Sequence, residues 1–386
     1  MNFTLAAGGT GGHMIPAHAL AAELLSRGHH VMLITDERGA RIPGLFEGVI
    51  THVLPAGRLG GGLFGWLKAA RSVMAGRKQA RALYRDHRPQ AVIGFGGYPA
   101  LPALLAASAA KVPTILHEQN AVLGRVNRLL AGEASAIATA YERVDRLASR
   151  HADKTVLVGN PVREAVARLG EAPFPGFDEY APLRILITGG SQGASILGQV
   201  VPEGLALLEP TLRHRLQITQ QCRADDIDPV RKRYAELGIP AELSTYIPDM
   251  PDRLAWAHLI IGRAGASTIA ELTAAGRPAI LIPLTSATDD HQTANARELA
   301  RAGGARMIPQ DAFTPATLAR QIEAMAADPQ ALANAAARAL SVGRPHAARD
   351  LADLAERIGG GASPVAVGPV AVNNGQLAFG SAGVPA

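Results

Sequence analysis

The sequence predicts two doubly wound α/β domains facing each other across a cleft, and three observations lead there. Two glycine-rich turns, Gly8-Gly9-Thr10-Gly11-Gly12-His13 and Gly189-Gly190-Ser191-Gln192-Gly193-Ala194, stand about half a chain apart. Each follows a short apolar run and leads into a helix-like pattern, the strand-turn-helix opening of a parallel-sheet domain written twice. The 386 residues come near to two domains, and 48% apolar with 4% aromatic content suits Ala/Leu/Val-packed α/β layers rather than a sandwich.

The first half starts with the strand Phe3 to Ala7, the first turn and a helix-like segment from Ile15 to Arg27. Strand-like runs follow at Val31 to Thr35, Ala91 to Gly94, Thr114 to His117, Ala136 to Ala138 and Thr155 to Val158, with a helix-like stretch from Pro99 to Ala110. Alternation at this spacing argues for a parallel sheet flanked by helices. Gly159-Asn160-Pro161-Val162-Arg163 ends the half, and the segment to Pro182, with Pro173, Pro175 and Gly176, reads as a linker. The scheme repeats through Leu183 to Thr188, Leu216 to Thr219, Ala241 to Ser244, Leu259 to Gly262, Ala279 to Pro283 and Ala305 to Ile308. We therefore expect domains over residues 1–162 and 163–344, a helix over 345–358, and a Gly/Ala/Val/Pro tail over 359–386 that is disordered.

No window holds the eighteen or more uncharged apolar residues of a membrane span, and the N-terminus lacks a signal-type segment, so a cytoplasmic protein is expected. Cys222 is the only cysteine, which excludes intrachain disulfides and cysteine-cluster metal sites. Charge is uneven: residues 1–160 hold 18 Lys/Arg against 10 Asp/Glu, and residues 161–386 hold 20 against 23. Between Arg58 and Arg88, eight bases face the single acid Asp86 in a stretch that also carries Leu63, Phe64, Trp66 and Leu67. Apolar anchors among cations suit an anionic bilayer surface, although a solvated helix face would read the same way. A nucleic-acid partner is not expected.

Glycines let each turn bend sharply and leave its N–H groups uncovered, where they and the helix dipole can hold an anion. Neither turn is the dinucleotide fingerprint, because Met14 stands where a third glycine belongs, and no Gly-Lys-Ser/Thr exists for an ATP-type loop. His13, at a helix start, is a candidate general base; a capping or packing histidine is the plain alternative. His117-Glu118-Gln119-Asn120 follows a buried strand, at the edge where open α/β sheets bind ligands. In the second half, small residues in Arg263-Ala264-Gly265-Ala266-Ser267-Thr268-Ile269-Ala270-Glu271 let a phosphate or sugar approach the backbone. Glu271 can accept bonds from two vicinal hydroxyls, or simply favour the helix N-terminus. Asp289-Asp290-His291-Gln292 adds polar groups at the same edge.

Gly189 to Gly193 also spells Gly-x-Ser-x-Gly, the nucleophile elbow of serine hydrolases, with His291 downstream. A serine hydrolase on Ser191 would begin its sheet well before the elbow, whereas here the elbow follows the first strand of its half. Asp226-Ile227-Asp228 matches a diphosphate-metal motif of some glycosyltransferases but reads as a solvated turn, so no metal and no other cofactor is expected.

These stretches together resemble the MurG family, bacterial UDP-N-acetylglucosamine:lipid I N-acetylglucosaminyltransferases of the two-domain GT-B fold. The resemblance runs from about Phe3 to Ile358. It is carried by GGTGGH at Gly8 to His13, GFGGYPALPA at Gly94 to Ala103, HEQNAVLGRVNR at His117 to Arg128, GNPVR at Gly159 to Arg163, GGSQGA at Gly189 to Ala194 and RAGASTIAEL at Arg263 to Leu272.

It implies inverting transfer of N-acetylglucosamine (GlcNAc) from UDP-GlcNAc to the 4-hydroxyl of the muramyl sugar of undecaprenyl-pyrophosphoryl-MurNAc-pentapeptide (lipid I), giving lipid II for peptidoglycan. Such chemistry needs in-line attack, a base on the acceptor hydroxyl and stabilisation of the leaving pyrophosphate. The resemblance further implies a peripheral location on the cytoplasmic face of the inner membrane, other cell-wall synthesis proteins as partners, and a C-terminal helix returning toward the first domain.

By matched position, Thr10, Gly11 and Gly12 contact the donor and His13 is the general base. Glu118, Asn120 and Asn127 form a polar cluster between the sugars, with Glu118 the alternative base, and Tyr98 belongs to the acceptor side. Arg163 and Ser191 contact the diphosphate region, the backbone of Ile247 reads the uracil, Ala266, Ser267, Thr268, Ile269, Ala270 and Glu271 hold phosphate and ribose, and Gln292 reads the GlcNAc hydroxyls. His291, where the family carries Gln, and Gly198, where it carries a polar residue, depart from the pattern. A non-catalytic nucleotide-sugar-binding protein of this fold would match the same motifs.

Overall fold

The computed structural model describes residues 1–364 apart from 10, 43, 58–61, 179, 191–192 and 286–287; the side chains of 62–64, 66 and 288 are likewise outside the description. Thr10 and Ser191 therefore lie outside the described residues, as does the predicted tail from residue 365 onward.

Seven parallel strands form the first sheet: β1 (Asn2–Ala6), β2 (His30–Thr35), β3 (Ile50–Val53), β4 (Ala91–Gly94), β5 (Thr114–Glu118), β6 (Ala136–Thr139) and β7 (Thr155–Leu157), in spatial order 3-2-1-4-5-6-7. Six form the second: β8 (Leu183–Thr188), β9 (Leu216–Gln221), β10 (Ala241–Ser244), β11 (Leu259–Gly262), β12 (Ala279–Leu281) and β13 (Ala305–Met307), in order 10-9-8-11-12-13. Central strands such as β1, β4 and β8 are apolar and buried because helices cover both faces, which is why they read as unbroken hydrophobic runs. In both sheets the strand order reverses beside the first strand, at β1/β4 and β8/β11. Loops leaving adjacent strands in opposite directions open a crevice there, and each predicted glycine turn follows the strand on its edge.

The helix Gly62–His87 shows how one element serves two environments. Ala69, Gly76, Ala80 and Tyr84 fall on its buried face, and a Cβ at Gly76 would lie 2.5 Å from the Pro55 carbonyl oxygen. Leu67, Arg71, Met74, Lys78, Arg81 and Arg85 recur at three- and four-residue steps on the exposed face. No helix among the described residues is long and apolar enough to cross a membrane.

The last helix, Ala347–Gly359, returns to the first domain, one residue longer at its end than the sequence suggests. Leu351, Leu354 and Ile358 join Phe3, Leu5 and Leu24 in one core, and Arg27 binds Asp353 at 2.6 Å and Glu356 at 3.0 Å. The chain leaves the first domain at Gly159 (φ 91°) and comes back at Arg344; a Cβ on Gly159 would lie 2.7 Å from Arg344 Cβ.

Candidate active site

The first glycine turn packs into the crevice between β1 and β4. Gly9 takes φ 85°, a conformation that costs glycine little, and its N–H donates to Asp36 Oδ1 at 2.8 Å. A Cβ on Gly8 would meet Pro99 Cβ at 2.5 Å, so the turn rests directly on the helix Gly97–Ala109. The next helix, Gly11–Ser26, starts inside the motif and carries His13 in its first turn. The His13 ring lies against the second turn of this domain: Cβ positions at Gly96 and Gly97 would be 3.7 Å from its Cε1 and 3.3 Å from its Nε2. His13 Nδ1 is buried and has no hydrogen-bond partner among the described residues. Burial lowers the His13 pKa, with the Glu118 charge opposing and His291 adding to the fall. A neutral imidazole at neutral pH can accept a proton.

Glu118 ends β5 and is buried, with both carboxylate oxygens occupied. Oε1 accepts the Asn120 N–H at 3.0 Å and the Asn120 side-chain amide at 3.1 Å; Oε2 accepts the Gly124 N–H at 2.8 Å and Asn127 Nδ2 at 2.9 Å. The carboxylate thus fixes the loop that carries Asn120 and the helix Arg125–Leu130 that carries Asn127. Asn127 Oδ1 is left buried without a partner among the described residues, near Gly96. His117, expected to line the site, instead bonds across strand ends, and Gln119 does so while also lining a cavity beside Ala266 and Ile269. His117 Nε2 meets the Gly159 carbonyl at 2.9 Å, Gln119 donates to the Phe95 carbonyl at 3.0 Å, and burial pushes the His117 pKa down to about 4.

Contacts from Ser267 and Asn295 join this cluster to the second domain, inside which Arg163 pairs with Glu271. Ser267 Oγ donates to the Gly12 carbonyl at 3.5 Å, which sets the start of the helix Ala266–Ala274 against the turn bearing His13. Arg163 donates to Glu271 Oε1 at 2.8 Å; burial raises the Glu271 pKa and the guanidinium opposes that rise. Asn295, fully buried, accepts the Ala121 N–H at 2.8 Å and donates to Asn120 Oδ1 at 3.0 Å and the Ala264 carbonyl at 3.4 Å.

The helix Ala266–Ala274 divides the stretch that sequence grouped together. Ser267 and Glu271 point toward Gly12 and Arg163, whereas Ala266, Ile269 and Ala270 line a cavity of about 430 Å³ with Gln119, Asn160 and Arg344. Both side-chain amide atoms of Asn160 in that cavity are buried and unpaired among the described residues. Thr268 is partly buried in the same helix start. Ile247 is buried beside Leu254 and Ile260, Tyr98 packs partly buried on the first-domain core, and Gln292 Oε1 accepts the Leu284 N–H at 2.9 Å. Gly198 has a packing reason, because a Cβ there would come within 3.0 Å of Val230 Cγ2.

Asp226 and Asp228 belong to a helix start rather than a polar connection: they open the helix Ile227–Glu236, and Asp228 pairs with Arg231. The Gly-x-Ser-x-Gly run follows β8, which sits in the middle of its sheet as the first strand in sequence. Sequence reasoning did not single out Asn295, although it lies three residues after Gln292 on the helix His291–Arg301, or the salt bridges from Asp289 to Arg128 and Arg146.

Both halves of the chain are similar to known proteins. Residues 3–139 match the glycosyltransferase family 28 N-terminal domain and residues 184–358 the family 28 C-terminal domain. A protein of Zymomonas mobilis, named UDP-N-acetylglucosamine--N-acetylmuramyl-(pentapeptide) pyrophosphoryl-undecaprenol N-acetylglucosamine transferase, is 63% identical over 358 residues, covering 93% of this chain and 92% of its own. The protein of the same name from Erythrobacter litoralis is 60% identical over 377 residues, 98% of this chain and 94% of its own. The crystal structure of Acinetobacter baumannii MurG superposes with a TM-score of 0.72 at 30% identity, covering 92% of this chain and 99% of that one.

Proposed function

The chain belongs to glycosyltransferase family 28, and from that premise we propose that it transfers GlcNAc from UDP-GlcNAc to the 4-hydroxyl of the muramyl sugar in lipid I, forming lipid II with inversion. The observation that carries the reading is the contact of Ser267 with Gly12. The helix start suited to the donor phosphates stands against the turn that presents His13.

His13 takes the proton from the attacking hydroxyl. Its lowered pKa keeps the ring neutral and ready, and the glycines beneath it leave room for the imidazole to lie flat against their turn. Glu118 orients rather than reacts, since its four N–H donors hold Asn120 and Asn127 between the substrates. The helix start at Ala266 presents N–H groups to the departing pyrophosphate, and Thr10 and Ser191 contact the donor as the family resemblance implies. Arg163, Glu271, Ile247 and Gln292 hold the nucleotide and sugar of the donor. In this reading residues 1–162 bind the lipid-linked acceptor with Tyr98, and residues 163–344 bind the donor.

The enzyme sits peripherally on the cytoplasmic face of the inner membrane, near other cell-wall synthesis proteins. Support comes from the exposed stripe Leu67, Arg71, Met74, Lys78, Arg81 and Arg85, which pairs apolar contact with positive charge.

The test measures UDP release from UDP-GlcNAc with and without a lipid I analogue. Acceptor-dependent release is expected. Donor binding without consumption would indicate a nucleotide-sugar-binding protein, and ester turnover without nucleotide a hydrolase on Ser191.

A further inference from the structure

Asp289 makes a contact that the transfer chemistry leaves unexplained. Its Oδ2 accepts Arg128 Nη2 at 2.8 Å, its Oδ1 accepts Arg146 Nη1 at 2.6 Å, and Arg125 Nε stands 3.7 Å away. All three guanidiniums belong to the first domain, and among the described residues none has another ion-pair partner. The carboxylate is only 14% exposed beneath them. Asp289 and Asp290 also take the left-handed conformation, φ 57° and 52°, which non-glycine residues keep only where their surroundings hold them there. The helix His291–Arg301 starts at the next residue, and Asn295 on it reaches Asn120 and Ala121. An ionic fastening at 289 and an amide fastening at 295 therefore bracket Gln292, both anchored on the opposite domain.

We propose that Asp289 is a positioning residue for the transfer: by binding Arg128 and Arg146 across the cleft it holds the first turn of the helix His291–Arg301 so that Gln292 faces the donor sugar. This rests on Gln292 reading the sugar of UDP-GlcNAc, as proposed above. The contribution acts through closure and orientation, and it falls on the sugar rather than the nucleotide, because Arg163, Glu271 and Ile247 lie outside the fastened turn.

The test uses the full chain with UDP-GlcNAc and a lipid I analogue, comparing wild type, Asp289→Asn, Arg128→Gln and the double variant. Asp289→Asn is expected to lower kcat/KM for UDP-GlcNAc by about tenfold through misplacement, while affinity for UDP, which lacks the sugar, changes less than about threefold. The double variant should fall no further than Asp289→Asn alone, because both changes break one interaction. Cys222 is buried, so probes on Ile50→Cys and Leu207→Cys, both exposed sites, report the interdomain distance selectively, and Asp289→Asn should lengthen it. Wild-type kinetics and distance in Asp289→Asn, equal losses for UDP and UDP-GlcNAc, or a double variant at the product of the singles would each overturn the proposal. Those outcomes with an active wild type leave the transferase reading intact. A wild type without acceptor-dependent release would remove that reading itself.

Discussion

Arg163 and Glu271 meet at 2.8 Å where the linker from the first domain passes the helix Ala266–Ala274 of the second. The Glu271 side chain is 11% exposed and that of Arg163 28%, so the pair is largely but not fully desolvated. Arg163→Ala strands the carboxylate, whose pKa burial already raises. A loss at the low end of the range for a broken buried pair is expected, about 3 kcal/mol by urea unfolding, together with weaker UDP binding. A loss below about 0.5 kcal/mol, as at an exposed pair, would show that the contact carries no such weight.

His13→Ala should cut acceptor-dependent UDP release by roughly 10²–10⁴-fold while donor binding persists. Because burial lowers the His13 pKa, the base stays unprotonated below its usual titration range, and the acid limb of kcat/KM should fall below about pH 6.5. An acid limb at or above pH 7, or normal turnover in the variant, assigns the proton to another group.

Glu118→Gln replaces an acceptor oxygen by an NH2 that faces N–H groups. Two donors lose their partner, and stability should drop by on the order of 1–3 kcal/mol, along with transfer. Were the variant to unfold like wild type yet lose transfer, Glu118 would be acting on the proton and its orienting role would be wrong.

His117 is buried neutral, with its pKa pushed to about 4 against 6.5 when exposed. Between those values the unfolded chain binds the extra proton, so stability declines as pH falls from 6.5 toward 4 and is fully present above 6.5. The decline attributable to this ring is on the order of 3 kcal/mol. Urea midpoints across that window should fall less steeply in His117→Gln; an unchanged slope would exclude His117 as the source.

Vesicles containing anionic lipid should bind the chain at low salt and release it as salt rises. Replacing Arg71, Lys78 and Arg81 by Gln removes three charges at about 1 kcal/mol each, a roughly hundredfold loss of partitioning. Binding indifferent to both lipid charge and these substitutions would discard the membrane face.

Much of this architecture was legible because the central strands are buried on both faces and appear as apolar runs between turn signals. β4, β8, β10 and β11 have the boundaries the sequence suggests. β3 escaped notice because Ile50–Val53 lies at the sheet edge with no buried side chain, so its residues carry no burial pattern. Within the site, His13 and Glu118 were visible from glycine spacing and from the end of a strand. Asn295 was not, since its partner Asn120 lies 175 residues away and a single amide leaves no periodic trace. Nor could spacing reveal that Ala266 and Ile269 turn away from Glu271, because that division depends on what packs on each side of a short helix.

The backbone passes between the halves near Gly159 and again near Arg344, and these passages touch. Two bodies tethered twice at one spot behave like a door on adjacent pins. Swinging there leaves the helix Ala347–Gly359 on its seat beside Phe3 and Leu24, whereas sliding or twisting would pull it off. One angle therefore governs the gap, and the spans from Asp289 to Arg128 and from Ser267 to Gly12 lengthen or shorten in concert.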